Sequence, residues 1–253
     1  HKAMFARHCA AGDAHVSATG HPKTDALRGL DAVRDDGLAK FAAGRPLVCW
    51  NPHFDVRPGA TPFGGGYSTF LRWWRFLPAE FSRRPDLALV IRPHPLLFAT
   101  LGQRGALKPA ELAEFRSACR AAGNILIDDR PSYLPVFAAS AAMLSDLSSF
   151  VLEYAVTGKP LLYLKNPDGP GALEEGVFAG GYCPAATSEP DVTRFLDRVA
   201  AGDDPQRAER RAAYGALLLQ PEGGVGAAIK RVVDARLAAE EEALAPAEAC
   251  AAV

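Results

Sequence analysis

From residue 47 onward, short unbroken apolar runs alternate with helix-patterned stretches, and this alternation limits the folds open to the chain more than any other feature. PLVCWN (46–51), LALVIRP (87–93), NILID (124–128), AAMLS (141–145) and PLLYLK (160–165) read as strands. Between them STFLRWWRFLPAEF (68–81), PAELAEFRSACRAAG (109–123), SYLPVFAAS (132–140) and SFVLEYAVTG (149–158) read as helices. Gly123 and Gly158 stand where C-terminal helix stops belong. A strand that is apolar on both faces has to be covered on both. The pattern therefore predicts an α/β fold, a Rossmann-like parallel sheet flanked by helices.

A loop rich in glycine and proline, NPDGPGALEEGVFAGGY, follows Lys165. Three helices come next: DVTRFLDRVAAG, DPQRAERRAAYGALLL and GGVGAAIKRVVDARLAAEEEAL. Residues 26–240 are expected to form the nucleotide-binding domain and 241–253 a flexible tail. Residues 1–25 show no clear element and read as an incomplete N-terminal segment or linker, as if the chain began partway through something larger.

The chain is 253 residues long and 49% hydrophobic, enough for one large, well-buried core. A net charge of -1 gives no electrostatic reason to expect nucleic acid. No apolar stretch approaches the roughly 18 residues of a membrane span, and the N-terminus lacks the apolar core of a signal peptide. The five cysteines, Cys9, Cys49, Cys119, Cys183 and Cys250, are scattered and form no CxxC pair, which favours a reducing cytoplasm. His1, His8 and His15 recur every seven residues, a helical rise of about 10 Å and too far for one ion. Neither a metal site nor a cofactor is expected.

Ligands of open α/β sheets bind beyond the carboxyl ends of the strands. After the first strand comes Asn51-Pro52-His53-Phe54-Asp55, followed by a loop holding Gly64-Gly65-Gly66. After the second comes Arg92-Pro93-His94-Pro95, where two prolines stiffen the backbone around the histidine. The fourth leads through Ser145, Asp146, Ser148 and Ser149 into a helix, and the fifth ends at Lys165. A helix start with serine hydroxyls suits a phosphate, or is a plain N-cap. Glu153, one turn on, is either a ribose acceptor or a solvated helix residue. His53 and His94 at one edge are candidate catalytic groups, or loop histidines stacking on neighbours. Trp73 and Trp74 read as core, and the three glycines as a flexible loop.

The segments VSATGHPKTD (16–25), WNPHFD (50–55) with YSTFL (67–71), IRPHPLL (91–97), SDLSSFVLEYAVTGKPLLYL (145–164) and EGGVGAAI (222–229) occur in that order. Together they resemble the CDP-glycerol glycerophosphotransferase family, which builds teichoic-acid-like poly(glycerol phosphate) and related capsule polymers. The resemblance covers residues 16–235 and implies the C-terminal, nucleotide-binding domain of a GT-B-like enzyme. It implies a catalytic or phosphate-binding role for His94, and a CDP site at Ser145, Asp146, Ser148 and Ser149 with the serines against the diphosphate. Two features depart from the family. The upstream HGTP-type motif is absent, and PHFD replaces PTFR or PTWR, so that Asp55 stands where an arginine is usual.

The expected protein is a transferase moving a glycerophosphoryl group from CDP-glycerol to an acceptor hydroxyl. His94 and His53 are the catalytic candidates. Arg92, Ser145, Asp146, Ser148, Ser149, Glu153 and Lys165 are the nucleotide and phosphate contacts, Arg92 and Lys165 neutralising charge. The partners are a CDP-linked donor and a polymer or lipid-linked acceptor at the inner face of the cell membrane, with peripheral membrane association through a region outside this chain. Two alternatives stand beside it: a nucleotide-sugar GT-B glycosyltransferase, and a non-catalytic nucleotide-binding domain of a larger synthase.

Overall fold

A computed structural model describes residues 2–59, 64–171, 183–217 and 219–244. They form two compact units, residues 27–217 and residues 2–26 with 219–244. The last helix groups with the N-terminal segment.

In chain order the elements are α1 (Lys2–His8), α2 (Lys23–Arg28), α3 (Asp36–Ala42), β1 (Leu47–Asn51), α4 (Phe70–Trp73), α5 (Phe76–Ser82) and β2 (Ala88–Ile91). Then come α6 (Leu97–Gln103), α7 (Pro109–Ala122), β3 (Ile125–Ile127), α8 (Leu134–Ala139), β4 (Ala142–Ser145), α9 (Ser149–Ala155) and β5 (Leu161–Leu164). The order closes with β6 (Ala185–Ala186), α10 (Glu189–Ala201), α11 (Arg207–Leu217) and α12 (Val225–Leu244). All five expected strands are present. The two-residue β6 is too short to leave a sequence pattern.

The sheet is parallel throughout, in the order β3-β2-β1-β4-β5-β6. Its strands obey the period-two rule of alternating faces. Val48, Trp50, Leu89, Ile91, Leu144 and Leu164 join one apolar cluster, while Leu47, Cys49, Val90, Met143, Leu161 and Tyr163 join the other. Trp73 and Phe70 are fully buried in the first cluster, where Trp50 stacks on Phe70 with ring centroids 5.5 Å apart. The helix expected over 68–81 is two helices instead. Pro78 lacks the N–H that would bond the carbonyl of residue 74, so the chain breaks around Trp74 and Arg75 and restarts at Phe76.

In the smaller unit the Asp25 carboxylate accepts the N–H groups of Val225 (2.8 Å) and Gly226 (2.9 Å), capping α12. The TGHPKTD and EGGVGAAI segments therefore meet in a structural joint. α1 and α2 also correct the expectation that residues 1–25 carry no element.

Candidate functional site

The strand order reverses between β1 and β4, and at such a switch point open α/β sheets take their ligands in a crevice at the carboxyl edge. Register makes the strand ends level, Asn51 opposite Ser145 and Trp50 opposite Ile91. Asn51 is buried and links three strand ends. Its amide donates to the Arg92 carbonyl (2.9 Å), and its Oδ1 accepts from Ser145 (3.5 Å) and Ser148 (3.4 Å).

The corner after β1 hangs on Asp146. This carboxylate is fully buried and accepts the backbone N–H of His53 (2.7 Å), the backbone N–H of Thr69 (3.0 Å), and the hydroxyls of Thr69 and Ser68. Burial pushes its pKa up to about 7, while those donors pull the other way. Below it the chain closes on itself. Ser68 N–H bonds the Asp55 carbonyl (2.9 Å), and Asn166, after β5, donates to the carbonyls of Gly64 (2.9 Å) and Gly66 (2.8 Å). A Cβ on Gly66 would lie 2.0 Å from the Asp55 oxygen, so only glycine fits. Gly64–Gly66 are thus packed and bonded, not a loose loop as expected.

The corner after β2 hangs on Asp128. Its two oxygens are held by Arg92 (2.6 Å) and Arg130 (2.5 Å), and Arg92 also donates to the Arg130 carbonyl (2.6 Å). The corners are tied together where His94 N–H bonds the Pro52 carbonyl (3.1 Å).

This scaffold brings His53 and His94 within 5.8 Å, centroid to centroid. Phe54 packs against both rings, at 4.6 Å and 4.4 Å, and Tyr67 meets His53 edge-on at 5.6 Å. In each histidine Nδ1 accepts a backbone N–H: His53 from Asp55 (3.1 Å) and His94 from Leu96 (3.2 Å). With Nδ1 so engaged, the neutral ring carries its proton on Nε2 and presents a donor. Burial lowers both pKa values below the usual histidine range. The neighbouring His94 adds to the effect on His53, and Asp55 opposes it.

The other expected residues divide in two. Ser149 and Lys165 are exposed and Ser148 is half-buried at the start of α9, where its hydroxyl also accepts the Phe150 N–H (3.3 Å). Arg92, Ser145, Asp146 and Glu153 are buried. Ser145 donates to the Asp146 carbonyl (2.8 Å), and Glu153 accepts the Tyr133 hydroxyl (2.6 Å). In this arrangement Asp146 and Arg92 build the corners rather than face the crevice. Glu153 is not the solvated helix residue of one sequence alternative.

Sequence reasoning gave no role to Asn51, Thr69, Tyr133 and Asn166, whose partners are distant in the chain. It also passed over Arg57. That guanidinium is gripped through Nε by both oxygens of Asp55 (3.0 and 2.9 Å) and lies 6.0 Å from the Tyr67 ring. The aspartate standing at the arginine position of PTFR therefore orients an arginine two residues later. The D-x-R spacing was there to be read.

Beside His94 a cavity of about 540 Å³ opens between α6, α7 and β3. Among the described residues no group of three His, Cys, Asp or Glu side chains could hold a metal ion, and no helix is long and apolar enough to cross a membrane.

No family model matches the chain, and neither does any curated protein. Solved structures do share its fold. The wall teichoic acid polymerase TagF superposes with a TM-score of 0.50 at 14% identity, over 78% of this chain and 46% of its own. A UDP-N-acetylglucosamine 2-epimerase gives 0.52 at 18%, over 87% and 50%. The α,α-trehalose 6-phosphate synthase from Burkholderia multivorans gives 0.51 at 14%, over 88% and 50%. The chain spans about half the length of these structures. Its fold is one Rossmann-like domain of the GT-B kind.

Proposed function

We propose that this chain is the donor-binding half of a GT-B-like transferase that moves a glycerophosphoryl group from CDP-glycerol to an acceptor hydroxyl in envelope or capsule polymer synthesis. The carrying observation is the pair of imidazoles, 5.8 Å apart at the crevice edge, each with Nε2 left to meet a ligand. The ordered motifs and the fold likeness to a wall teichoic acid polymerase support the choice of donor. One structure of that polymerase was soaked with CDPG.

The acceptor oxygen attacks the phosphorus that bears the glycerol. A new P–O bond forms, the bond to the bridging oxygen breaks, CMP leaves, and the hydroxyl proton is released. Negative charge on the phosphoryl oxygens is the chief demand on the protein, and it is met by fixed donors. His94 and His53, as Nε2–H donors, hold those oxygens; a base would need the other tautomer and the loss of a backbone hydrogen bond. Ser148 and Ser149 contact the diphosphate, Lys165 and Arg57 supply positive charge, and Glu153, held by Tyr133, accepts from the ribose. Arg92 acts through the backbone it fixes. An acceptor of this class would put the reaction at the inner membrane face.

Calorimetric titration with CDP, CMP, UDP and GDP tests the reading. CDP is expected to bind preferentially, with binding weakened in His94→Ala and Ser148→Ala. Preference for UDP or GDP would favour the sugar-nucleotide reading, which the likeness to the epimerase and the trehalose phosphate synthase supports. Binding of none of the four would overturn both.

A further inference from the structure

We infer that the cavity between α6, α7 and β3 is a second ligand site, for a phosphate ester, distinct from the crevice between β1 and β4. The inference rests on the transferase reading above and names what the other side of the reaction offers to His94.

The cavity measures about 540 Å³, within the range of small-molecule sites, roughly 300–1,000 Å³. Its wall includes His94, Phe98, Arg116, Arg120, Ile127 and Asp128. The charges there do not cancel. Asp128 is already matched by Arg92 and Arg130, and Arg130 also pairs with Asp35. Asp129 on the rim is exposed and is the one other acid in the lining. Arg116 and Arg120 form no ion pair with a carboxylate among the described residues, and Arg116 lies 5.3 Å from the Phe98 ring. Two guanidiniums remain for a ligand.

Their spacing on α7 adds to this. Residues four apart share a helix face, and like charges so placed repel. The acids of α7, Glu111 and Glu114, precede Arg116 in the helix and serve Arg75. An anion between Arg116 and Arg120 relieves the repulsion and gains charge-assisted hydrogen bonds. Phe98 and Ile127 offer apolar surface to the stem that carries the phosphate. His94 belongs to this wall and, through His53, to the crevice. A phosphate ester held here has its hydroxyl end beside the histidine that meets the donor. The terminal unit of a glycerol phosphate acceptor has this chemistry; so does a phosphate of the donor itself, and the test separates the two.

Glycerol 3-phosphate is titrated into the full chain saturated with CDP, following the arginine Nε–H resonances and the His94 ring by NMR. The expected result is saturable shifts at Arg116, Arg120 and His94, with affinity weakened about tenfold or more in the Arg116→Gln/Arg120→Gln variant and CDP affinity unchanged. Both positions are exposed, so the variant folds, which circular dichroism verifies. Absence of binding, equal binding by the variant, or binding seen only when the same titration is run without CDP would each overturn the second site. Failure of the transferase reading shows separately, as lack of CDP binding by the unaltered chain.

Discussion

Two corners of the same sheet edge each hang a histidine on a buried aspartate, but the aspartates are satisfied differently. Asp128, at the corner after β2, is matched by two guanidiniums, so its charge is cancelled where it lies. Asp146, at the corner after β1, meets amide N–H groups and hydroxyls and no cation among the described residues. It is a carboxylate without a cation, and desolvation raises its pKa to about 7. The two anchors present their imidazoles alike. They differ in what surrounds the carboxylate: guanidiniums at Asp128, and at Asp146 uncharged donors with burial pushing its pKa up to about 7.

Removing each anchor should expose this difference. Asp128→Ala leaves the buried Arg92 guanidinium without its carboxylate, while Arg130 is exposed. A loss of about 3–5 kcal/mol is expected from thermal or denaturant unfolding, the largest single effect at the site. Asp146→Asn keeps the shape but turns an amide N–H toward donors, at a cost of about 1–3 kcal/mol.

The pH profile sharpens the contrast. Asp146 has its ordinary value of 3.8 in the unfolded chain and about 7 in the fold, so between those values the folded protein binds the proton more tightly. Its contribution is fully present below 3.8 and is lost as the pH rises through about 7. The histidines act on the acid side: their folded pKa values lie below 6.5, so stability falls as the pH drops through that value. Asp146→Asn should therefore flatten the decline toward neutral pH and leave the histidine limb unchanged, as read from unfolding free energies between pH 4 and 8. An unaltered slope between pH 4 and 7 would show that Asp146 is ionised throughout, with the four donors outweighing burial.

The difference between the corners also marks what a sequence can disclose. Strands announced themselves because Val48–Trp50 and Leu89–Ile91 are apolar on both faces, a local property. The helix after β1 was misjudged over one residue, Pro78, whose missing N–H interrupts an otherwise regular pattern. The prolines drew notice to His53 and His94, whose rings the fold brings within 5.8 Å of each other. What each aspartate does was not: Asp146 looked like a phosphate-site residue until its partners, 77 and 93 positions away, were visible. Arg92 looked like a free cation until Asp128 took it. Side chains that act on ligands and side chains that build the corner share the same residue types, and only long-range hydrogen bonds tell them apart. Arg57 was missed for a nearer reason: the departure at Asp55 drew notice to the lost arginine and away from the one two residues on.

The central claim is that both imidazoles offer an Nε2 proton to a phosphate in the crevice. Long-range ¹H–¹⁵N correlation spectra of the histidine rings at pH 7.5, with and without CDP, test it most directly. The account predicts the Nε2–H tautomer for both His53 and His94 in the free protein, and a shift of the Nε2 resonance of at least His94 when CDP binds. An Nδ1–H tautomer at either ring, or CDP binding that leaves both Nε2 signals unmoved, would contradict it.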